Sequence, residues 1–267
     1  MANLSTKHVA RNKIILVYGP PKTGKSLFVG KLAEKKKLLW FDLENGSDVL
    51  FSLPKEWHKN IELIKIPDNR SYPIAIETCL KVIKGGAFSI CETHGKVSCP
   101  VCIDLKTKLP KDGASVYSGD LSNIDSDTVV VFDSLTQLTN SAISSITRNK
   151  PDDYKLNYDD WGNLGKLLDI FLSHVQTFHG SIVCISHEGS VEMQDGKEKI
   201  VPVAGTRNFS RNTARYFGEV IYTEVVNKKH IAASSTTYKN SILTGSRTGA
   251  SFESEESPKL LSIFEEH

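Results

Sequence analysis

The sequence predicts an α/β fold in which a mainly parallel sheet is covered by helices on both faces. Short apolar runs such as 14–17, 128–132 and 181–186 have the length and β-branched composition of strands that are buried on both faces. These runs alternate with segments of helical periodicity, of which 161–178 is the clearest. Such alternation is typical of a parallel sheet whose strands are joined by crossover helices.

The individual elements follow this alternation along the chain. In the first third we predict a strand at 13–18, a loop at 19–24, a helix at 25–35, a strand at 38–43, a candidate strand at 61–66 and a helix at 73–83. Further on we predict a strand at 128–132, a helix at 161–178, a strand at 181–186, a hairpin at 191–203, a short helix at 207–216 and strands at 220–226, 230–234 and 241–243. The segment 87–122 is rich in Cys, Gly, Lys and Ser and breaks the pattern, so we interpret it as an insertion.

Composition places few limits on the partners of the protein. The chain has 267 residues with 33 Lys plus Arg and 31 Asp plus Glu, so its net charge of +2 predicts no nucleic-acid or membrane partner by itself. No apolar run approaches the roughly 20 residues that span a bilayer, and residues 1–13 lack the apolar core of a signal peptide. We therefore expect a cytoplasmic protein, with a core domain at 1–250 that contains the insertion 87–122, and an acidic tail at 251–267.

The segment after the first strand matches the phosphate-binding pattern G-x-x-x-x-G-K-[ST]. Its residues are Gly19, Pro20, Pro21, Lys22, Thr23, Gly24, Lys25 and Ser26. In such a loop the glycines let backbone N–H groups point at phosphate oxygens, and the helix N-terminus that follows favours negative charge. We therefore predict that the protein binds and hydrolyses a nucleoside triphosphate, ATP in the first instance, with Lys25 on the β- and γ-phosphates and Ser26 on Mg²⁺.

Polar residues at the ends of other predicted strands are candidates for the same site. Asp133 follows the first strand after the insertion and would bind Mg²⁺, the alternative being that it caps the next helix. Glu44 follows the second strand and is the candidate base that activates water, with Asp42 as the alternative. His187 follows the strand at 181–186 and would sense the γ-phosphate, unless it has only a structural role.

Together these residues resemble the RecA-like ATPases, and in particular the phage RecA-like proteins of the Sak group that act in single-strand annealing. The resemblance covers residues 12 to 250 outside the insertion. It rests on the loop 19–26 and on the segments Asp42-Leu43-Glu44-Asn45-Gly46-Ser47, Phe132-Asp133-Ser134-Leu135 and Ser186-His187-Glu188. It implies a ring or filament with ATP bound between protomers, single-stranded DNA as a ligand and, for a phage gene, the cytoplasm of a bacterial host.

The resemblance also implies that DNA is held by two loops, at about 139–158 and 188–215. Their basic residues are Arg148, Lys150, Lys155, Lys197, Lys199, Arg207, Arg211 and Arg215. The three arginines of the second loop recur every four residues and would form one basic stripe on a helix. Such a stripe can follow a phosphate backbone, although a solvated helix face or pairing with a neighbouring protomer are alternatives.

A basic residue from the adjacent subunit is a further implication, because RecA-like assemblies use one to stabilise charge on the transferred phosphoryl group. Arg247 is the first candidate. Gly245 stands where related ring ATPases often have a lysine. Lys228 and Lys239 therefore stay open as alternatives, and so does an ordinary surface role for each.

Four potential metal ligands lie within the insertion, as two pairs that each have a two-residue spacer. They are Cys91, His94, Cys99 and Cys102. Three thiolates and an imidazole suit tetrahedral Zn²⁺ and leave no position for water, so a structural site is predicted. The alternative is four unrelated residues in a loop. Cys79 and Cys184 lie on a predicted helix and a predicted strand and are expected to be buried thiols.

These features favour an ATP-dependent, single-stranded-DNA-binding recombinase or annealing protein, with a single-strand-binding or replication protein as a candidate partner. The alternatives are a helicase or helicase loader on the same core, and a regulatory ATPase that does not bind DNA. The tail combines an apolar patch at 260–264 with Glu253, Glu255, Glu256, Glu265 and Glu266. A disordered segment that competes with DNA, a helix that docks on a neighbour and a frayed terminus are equally compatible with it.

Overall fold

A computed structural model of the chain describes residues 12–193, 196–235, 239–247, 249 and 260–265. The strands within these ranges are β1 (Ile14–Gly19), β2 (Lys37–Asp42), β3 (Ile61–Lys65), β4 (Ala87–Cys91), β5 (Val116–Asp120), β6 (Thr128–Asp133), β7 (Ser181–Glu192), β8 (Glu198–Pro202), β9 (Glu219–Val226), β10 (Lys229–Ala233) and β11 (Gly245–Ser246). The α-helices are α1 (Lys25–Gly30), α2 (Ala75–Ile83), α3 (Leu135–Thr147), α4 (Tyr158–Gln176), α5 (Arg207–Asn212) and α6 (Leu261–Glu265). Short 3₁₀-helices cover Lys31–Glu34, Ser47–Ser52, Lys55–Asn60, Leu121–Asn123 and Thr213–Tyr216.

The central sheet has the strand order β10–β9–β1–β7–β6–β2–β3. All pairs from β9 to β3 are parallel, whereas β10 is antiparallel to β9. β8 forms an antiparallel hairpin with β7, and β11 pairs antiparallel with β9. The predicted α/β fold with a mainly parallel sheet is therefore confirmed.

The register brings the carboxyl ends of the central strands to one edge of the sheet. Gly19 of β1 pairs with His187 of β7, and Asp42 of β2 pairs with Asp133 of β6. The strand β7 lies between β1 and β6. The loop at 19–26 and the strand ends that carry the candidate residues therefore meet at a single edge, where parallel α/β sheets bind ligands.

Both faces of the sheet are buried, because alternate residues of each strand point to opposite sides. On one face, Ile15 and Val17 of β1 pack with α1, the 3₁₀-helices that follow and α6. On the other face, Leu16 and Tyr18 of the same strand pack with α2, α3 and α4. Burial on both sides explains why the strands are continuous apolar runs in the sequence.

The predicted insertion is a hairpin that is anchored on the core. Its strands β4 and β5 form a separate antiparallel pair. Phe88, Ile90 and Leu121, at and beside the hairpin strands, are buried in the same apolar cluster as α2 and β2. The segment between the strands has a small apolar cluster of its own, which combines Ile103 with three of the cysteines.

One helix of the structure is missing from the sequence prediction. Residues from 139 onward were expected to form a loop, but α3 occupies Leu135–Thr147 and buries Leu138 and Ala142 against the core. Its many Ser and Thr residues have low helix propensity, because their side chains compete for backbone hydrogen bonds. The hydroxyl of Thr139 does this within the helix, donating to the carbonyl of Leu135 at 2.9 Å.

Two other predicted elements differ in extent. The helix expected at 25–35 is an α-helix only as far as Gly30 and continues as a 3₁₀-helix. No strand forms at 241–243, where Ile242 makes one isolated bridge to Ile200. The strand of this region is β11, which begins at Gly245, two residues after the end of the predicted strand.

The apolar patch near the end of the chain packs against the core of the same chain. Leu260, Leu261 and Ile263 are buried against the α1 face of the sheet. Most of the acidic residues of the predicted tail, Glu253, Glu255, Glu256 and Glu266, lie outside the described residues. Across the described ranges, no helix combines the length and the apolar character that crossing a bilayer requires.

Candidate active site

The loop at 19–26 is curled tightly and held against β9. Gly19 and Gly24 have φ angles of 154° and 81°, which glycine adopts most readily. The hydroxyl of Thr23 donates to the carbonyl of Pro20 at 2.9 Å and lies 2.9 Å from the hydroxyl of Thr223 in β9. The loop is therefore preorganised by its own contacts and by one neighbouring strand.

Lys25, the first residue of α1, folds back over this loop. Its ammonium donates to the carbonyls of Gly19 at 3.1 Å and Pro20 at 2.7 Å. Burial lowers the pKa of Lys25, while the nearby carboxylates of Asp133 and Glu44 act in the opposite direction. A phosphate that entered the loop would offer this buried ammonium a stronger, charged acceptor.

Ser26 and Asp133 lie together beside the loop. The Ser26 hydroxyl donates to Oδ2 of Asp133 at 2.8 Å, and only 4% of Asp133 is exposed. Burial raises the pKa of Asp133 to about 7, against the opposing effect of the hydrogen bond from Ser26. The alternative that Asp133 caps α3 is wrong, because Ser134 is the N-cap and accepts from the backbone N–H of Gln137 at 3.2 Å.

The carboxylate of Glu44 is oriented by two neighbours. The hydroxyl of Ser134 donates to its Oε1, and Nε2 of His187 lies 3.3 Å from its Oε2. Burial by itself would raise the pKa of Glu44, but these two hydrogen bonds and the charge of Lys25 outweigh burial and lower it. Glu44 is thus a carboxylate at neutral pH with a fixed direction.

Asp42, the alternative base, is occupied by the backbone of the turn that follows β2. Its Oδ1 accepts from the N–H groups of Glu44 at 3.2 Å and Gly46 at 3.1 Å, and its Oδ2 accepts from that of Ser47 at 3.2 Å. Asp42 is also almost fully buried. Asp42 therefore shapes the turn that carries Glu44, and it is not among the residues that line the cleft beside the loop.

The predicted residues surround one cleft of about 550 Å³. Lys25, Ser26, Glu44, Asp133 and His187 all line it. His187 is fixed at its backbone, where its N–H donates to the hydroxyl of Thr136 in α3 at 2.9 Å. The structure therefore brings together the residues that the sequence analysis assigned to nucleotide binding and hydrolysis, while their chemical roles stay predictions.

A second cleft of about 340 Å³ adjoins the first and was not predicted. It is largely apolar and is lined by Leu27 and Phe28 of α1 and by His230 and Ile231 of β10. The ring of His230 closes one side, with Nδ1 3.0 Å from the carbonyl of Thr23. Its walls come from segments some 200 residues apart, so no local sequence pattern could have revealed it.

This arrangement of loop, strand ends and parallel sheet defines the class of the protein as a P-loop ATPase domain. A family model described as an AAA domain matches residues 11–248. The chain therefore belongs to that AAA-domain family. None of the curated proteins with which the chain was compared matches it.

The four cysteine and histidine residues of the hairpin converge on one point. Their ligand atoms all lie within 4.8 Å of one another. Nδ1 of His94 is 3.6 Å from Sγ of Cys91, 3.7 Å from that of Cys99 and 3.3 Å from that of Cys102. A tetrahedral zinc ion with its usual bond lengths would separate a sulfur and a nitrogen ligand by about 3.6 Å. The residues thus fit the ion that the spacing predicted.

The first predicted DNA loop is shorter than expected, because α3 takes up its first half. Arg148 and Lys150 follow that helix and line an open groove of about 790 Å³ together with Arg70. Lys150 also lies over the ring of Tyr154, with Nζ 5.1 Å from the ring centroid. Arg70 is a member of this basic groove that the sequence analysis missed, since it belongs to a loop far away in the chain.

The single arginine stripe predicted for 207–215 is wrong. The α-helix ends at Asn212, so Arg207 and Arg211 share a helix but Arg215 lies in the 3₁₀-helix that follows. Arg215 pairs with Asp169 of α4 at 3.2 Å and stacks on the ring of Tyr216. Lys197 and Lys199 lie, as predicted, on the hairpin formed by β7 and β8.

Arg247 lies at the opposite end of the sheet from the loop at 19–26. Its backbone N–H donates to the carbonyl of Gly218, and Gly218 in turn donates to Ile14 at the amino end of β1. The guanidinium of Arg247 donates to the carbonyl of Arg215 at 2.7 Å. Since β1 is six residues long, roughly 17 Å of strand separates Arg247 from its own phosphate loop.

Proposed function

We propose that the protein is an ATP-dependent, single-stranded-DNA-binding recombinase or annealing protein of the phage Sak type that hydrolyses ATP between the subunits of a ring or filament. The observation that carries the hydrolysis is the placement of Glu44. It lines the same cleft as Lys25, Ser26 and Asp133, and Ser134 and His187 hold its carboxylate in one direction. A base that is oriented beside a phosphate loop is what activation of a water molecule requires.

In this proposal each residue of the cleft has one task. The backbone N–H groups of the loop and the ammonium of Lys25 would bind the phosphates, and Ser26 and Asp133 would hold Mg²⁺, which would supply positive charge to neutralise the phosphates. Glu44 takes a proton from the attacking water, which its lowered pKa allows at neutral pH. His187 contacts both Glu44 and the γ-phosphate.

The adjoining apolar cleft is the proposed position of the nucleotide base. It is open to the phosphate cleft through Gly24, Leu27 and His230, which line both. The ring of Phe28 and the aliphatic side chain of Ile231 offer apolar surface for the faces of a purine ring. A single nucleoside triphosphate could thus occupy both clefts, with its phosphates in the loop.

The proposed interface for single-stranded DNA combines the basic groove with the exposed aromatic residues that follow its last lining residue, Leu156, in the chain. Arg148 and Lys150 supply positive charge along the groove, and so does Arg70, whose guanidinium lies 3.6 Å from the carboxylate of Asp152. Tyr158 and Trp161 at the start of α4 expose 91% and 42% of their surfaces. Basic residues that track a backbone, next to aromatic rings on which bases stack, are the usual means of binding single strands without sequence preference.

Assembly is supported by the position of Arg247. Its distance from its own phosphate loop prevents it from acting there, so a catalytic role requires the site of another copy. In a ring or filament, Arg247 of one subunit would approach the γ-phosphate that the next subunit holds, and would stabilise the charge of the transition state.

We also propose that the Cys/His cluster holds one structural Zn²⁺ ion per chain. The support is the separation of 3.3 to 3.7 Å between Nδ1 of His94 and the three sulfurs, and the burial of Cys91, Cys99 and Cys102. Metal analysis of the purified chain should give about one equivalent of zinc. Changing Cys99 and Cys102 to Ser should abolish it, and a Cys79→Ser control should not.

The experiment that tests the whole proposal is an ATPase assay with and without single-stranded DNA, run together with a sizing measurement. We expect Mg²⁺-dependent hydrolysis, stimulation by DNA that falls as salt rises, and species larger than a monomer. Arg148→Glu with Lys150→Glu should remove the stimulation, and Lys106→Glu with Lys108→Glu, outside the groove, should keep it. Unwinding of a tailed duplex by the protein alone would favour a helicase, and hydrolysis that ignores DNA at low salt would favour a regulatory ATPase.

A further inference from the structure

Asp68 lies in the loop between β3 and α2, and its carboxylate joins two helices. Its Oδ1 accepts from the backbone N–H of Ala75 at 2.7 Å and from the hydroxyl of Ser141 at 2.8 Å. Its Oδ2 accepts from the side-chain amide of Gln137 at 2.9 Å. One carboxylate thus connects the start of α2 to the first two turns of α3.

The contact with Gln137 leads directly to Glu44. The backbone N–H of Gln137 donates to the hydroxyl of Ser134 at 3.2 Å, and that hydroxyl donates to Oε1 of Glu44. Asp68 and Glu44 also line one open cleft of about 800 Å³, next to His187. Asp68 is therefore connected to the Glu44 carboxylate through two residues, Gln137 and Ser134, and its position can affect the direction of that carboxylate.

The Cys/His cluster holds the loop that carries Asp68 on both sides. Beyond Asp68, the hydroxyl of Tyr72 donates to the carbonyl of His94 at 3.1 Å. Before it, Pro67 packs on Gly95, where an added Cβ would lie 2.6 Å from Cδ of the proline. The loop that carries Asp68 therefore packs against the backbone at His94 and Gly95, within the segment that contains the metal ligands.

We propose that Asp68 is a positioning residue for Glu44, and that a metal ion in the Cys/His cluster keeps Asp68 in place. The inference rests on the proposed hydrolysis by Glu44. Loss of the ion would release the loop at 66–72, loosen the contact with Gln137 and misalign Glu44. Turnover would fall, while nucleotide affinity, which depends on the loop at 19–26, would be retained.

Asp68 also has a structural task that the test must separate from this one. The N-cap residue of α2, Ile74, makes no side-chain hydrogen bond, so Asp68 satisfies an N–H group of that helix instead. A change of Asp68 itself would remove both tasks. Gln137→Met removes the hydrogen bond from Gln137 to Asp68, and it keeps the side-chain length and the contacts of Asp68 with Ala75 and Ser141.

The first test compares kcat, KM and melting temperature of the metal-loaded full chain with those of Gln137→Met. We expect kcat to fall roughly tenfold, within the 10²-fold that a misplaced group can cost, with KM and melting temperature unchanged. Asp120→Asn is the matched control, since Asp120 accepts three hydrogen bonds at a hairpin end away from Glu44. Its kcat should equal that of the wild type. Equal kcat in Gln137→Met and wild type would overturn the inference, whereas a wild type without ATPase activity would sink the proposed function instead.

The second test removes the metal with a chelator and follows hydrogen exchange of peptides that cover 66–75. We expect faster exchange there in the chelated protein, a readout that does not depend on activity. Chelation should also lower kcat of the wild type but add little in Gln137→Met, because both changes act on one path. Unchanged exchange, or effects on kcat that simply multiply, would refute the role of the metal. The Gln137→Met comparison needs no chelation, so it decides the role of the Asp68 link even if chelation unfolds the chain.

Discussion

The carbonyl oxygen of Thr223 lies 2.1 Å from the position that a Cβ atom at Gly19 would occupy. Because φ of Gly19 is also positive, Gly19→Ala should displace β9 from the phosphate loop and lower stability by roughly 1–3 kcal/mol. Nucleotide binding should be lost as well. Gly162→Ala is the control, since nothing lies within 4 Å of its Cβ position on α4. Denaturant unfolding and nucleotide titration of both variants check the prediction, and a normal nucleotide affinity in Gly19→Ala would contradict it.

Asp133→Asn should abolish Mg²⁺-dependent hydrolysis without destabilising the metal-free protein. Burial raises the folded-state pKa of Asp133 to about 7, above its unfolded value of about 3.9. The folded state therefore binds the proton more tightly, and this carboxyl makes the metal-free chain less stable as pH rises from about 4 to 7. Melting curves at pH 5 and pH 8 should show that the Asp133→Asn variant gains stability over wild type mainly at pH 8. A loss of stability at pH 8 would show that the carboxylate has a structural role.

Glu44→Gln should lower kcat by at least about 10²-fold and leave nucleotide affinity nearly unchanged, because an amide cannot accept the proton of the attacking water. Asp42→Asn provides the contrast. An amide at that position cannot accept all three backbone N–H groups of the turn, so the variant should lose stability as well as activity. Single-turnover hydrolysis and equilibrium nucleotide binding distinguish the two. A Glu44→Gln protein that still hydrolyses ATP at the wild-type rate would exclude Glu44 as the base.

Thiol labelling should show how many cysteines a bound metal protects. The described residues contain five free cysteines, all of them buried, and burial raises the pKa values of Cys79 and Cys184, which suppresses their thiolate forms. We expect no rapid alkylation of the metal-loaded native protein and three modified thiols after chelation, as measured by intact mass. The same number of modified thiols with and without the chelator would argue against a metal at the cluster.

Mixing two inactive variants should restore activity if the site is shared between subunits. Arg247→Ala supplies an intact Glu44, and Glu44→Gln supplies an intact Arg247, so some interfaces of a mixed assembly contain both groups. ATPase activity of the mixture should exceed that of either variant alone. The same mixing experiment with Lys228→Ala and Glu44→Gln tests Lys228, the alternative candidate for the basic residue that acts on the neighbouring subunit. A mixture as inactive as its components would rule out Arg247 as the residue in trans.

The parts of the fold that could be predicted depend on local patterns. Parallel strands that are buried on both faces, such as β6 and β7, must be continuous apolar runs, and these stand out in the sequence. The phosphate loop is likewise local, because eight consecutive residues carry both its shape and its charge. These two signals were enough to place Asp133 and His187 at one edge of the sheet.

The parts that could not be predicted depend on contacts between distant segments. The apolar cleft joins α1 to β10, and the basic groove joins Arg70 to α3, so neither has a sequence motif. Asp42 and Glu44 look alike in the sequence as acidic residues at a strand end. Only their hydrogen bonds distinguish a carboxylate that binds the backbone of the turn from one that is oriented by Ser134 and His187. The sequence also could not show that Arg215 lies apart from Arg207 and Arg211, because its ion pair with Asp169 joins residues 46 positions apart in the chain.

The strand β7 runs without a break from Ser181 to Glu192, although its neighbours change along the way. It is paired with β6 up to Ile185, with β1 up to His187, and with β8 from Glu188 onward. At about 3.3 Å per residue, Glu192 at the end of β7 lies roughly 17 Å beyond His187. His187, which contacts Glu44, and the outer half of the hairpin with β8 therefore belong to one continuous strand, so a ligand bound to this hairpin would act on the strand that carries the histidine.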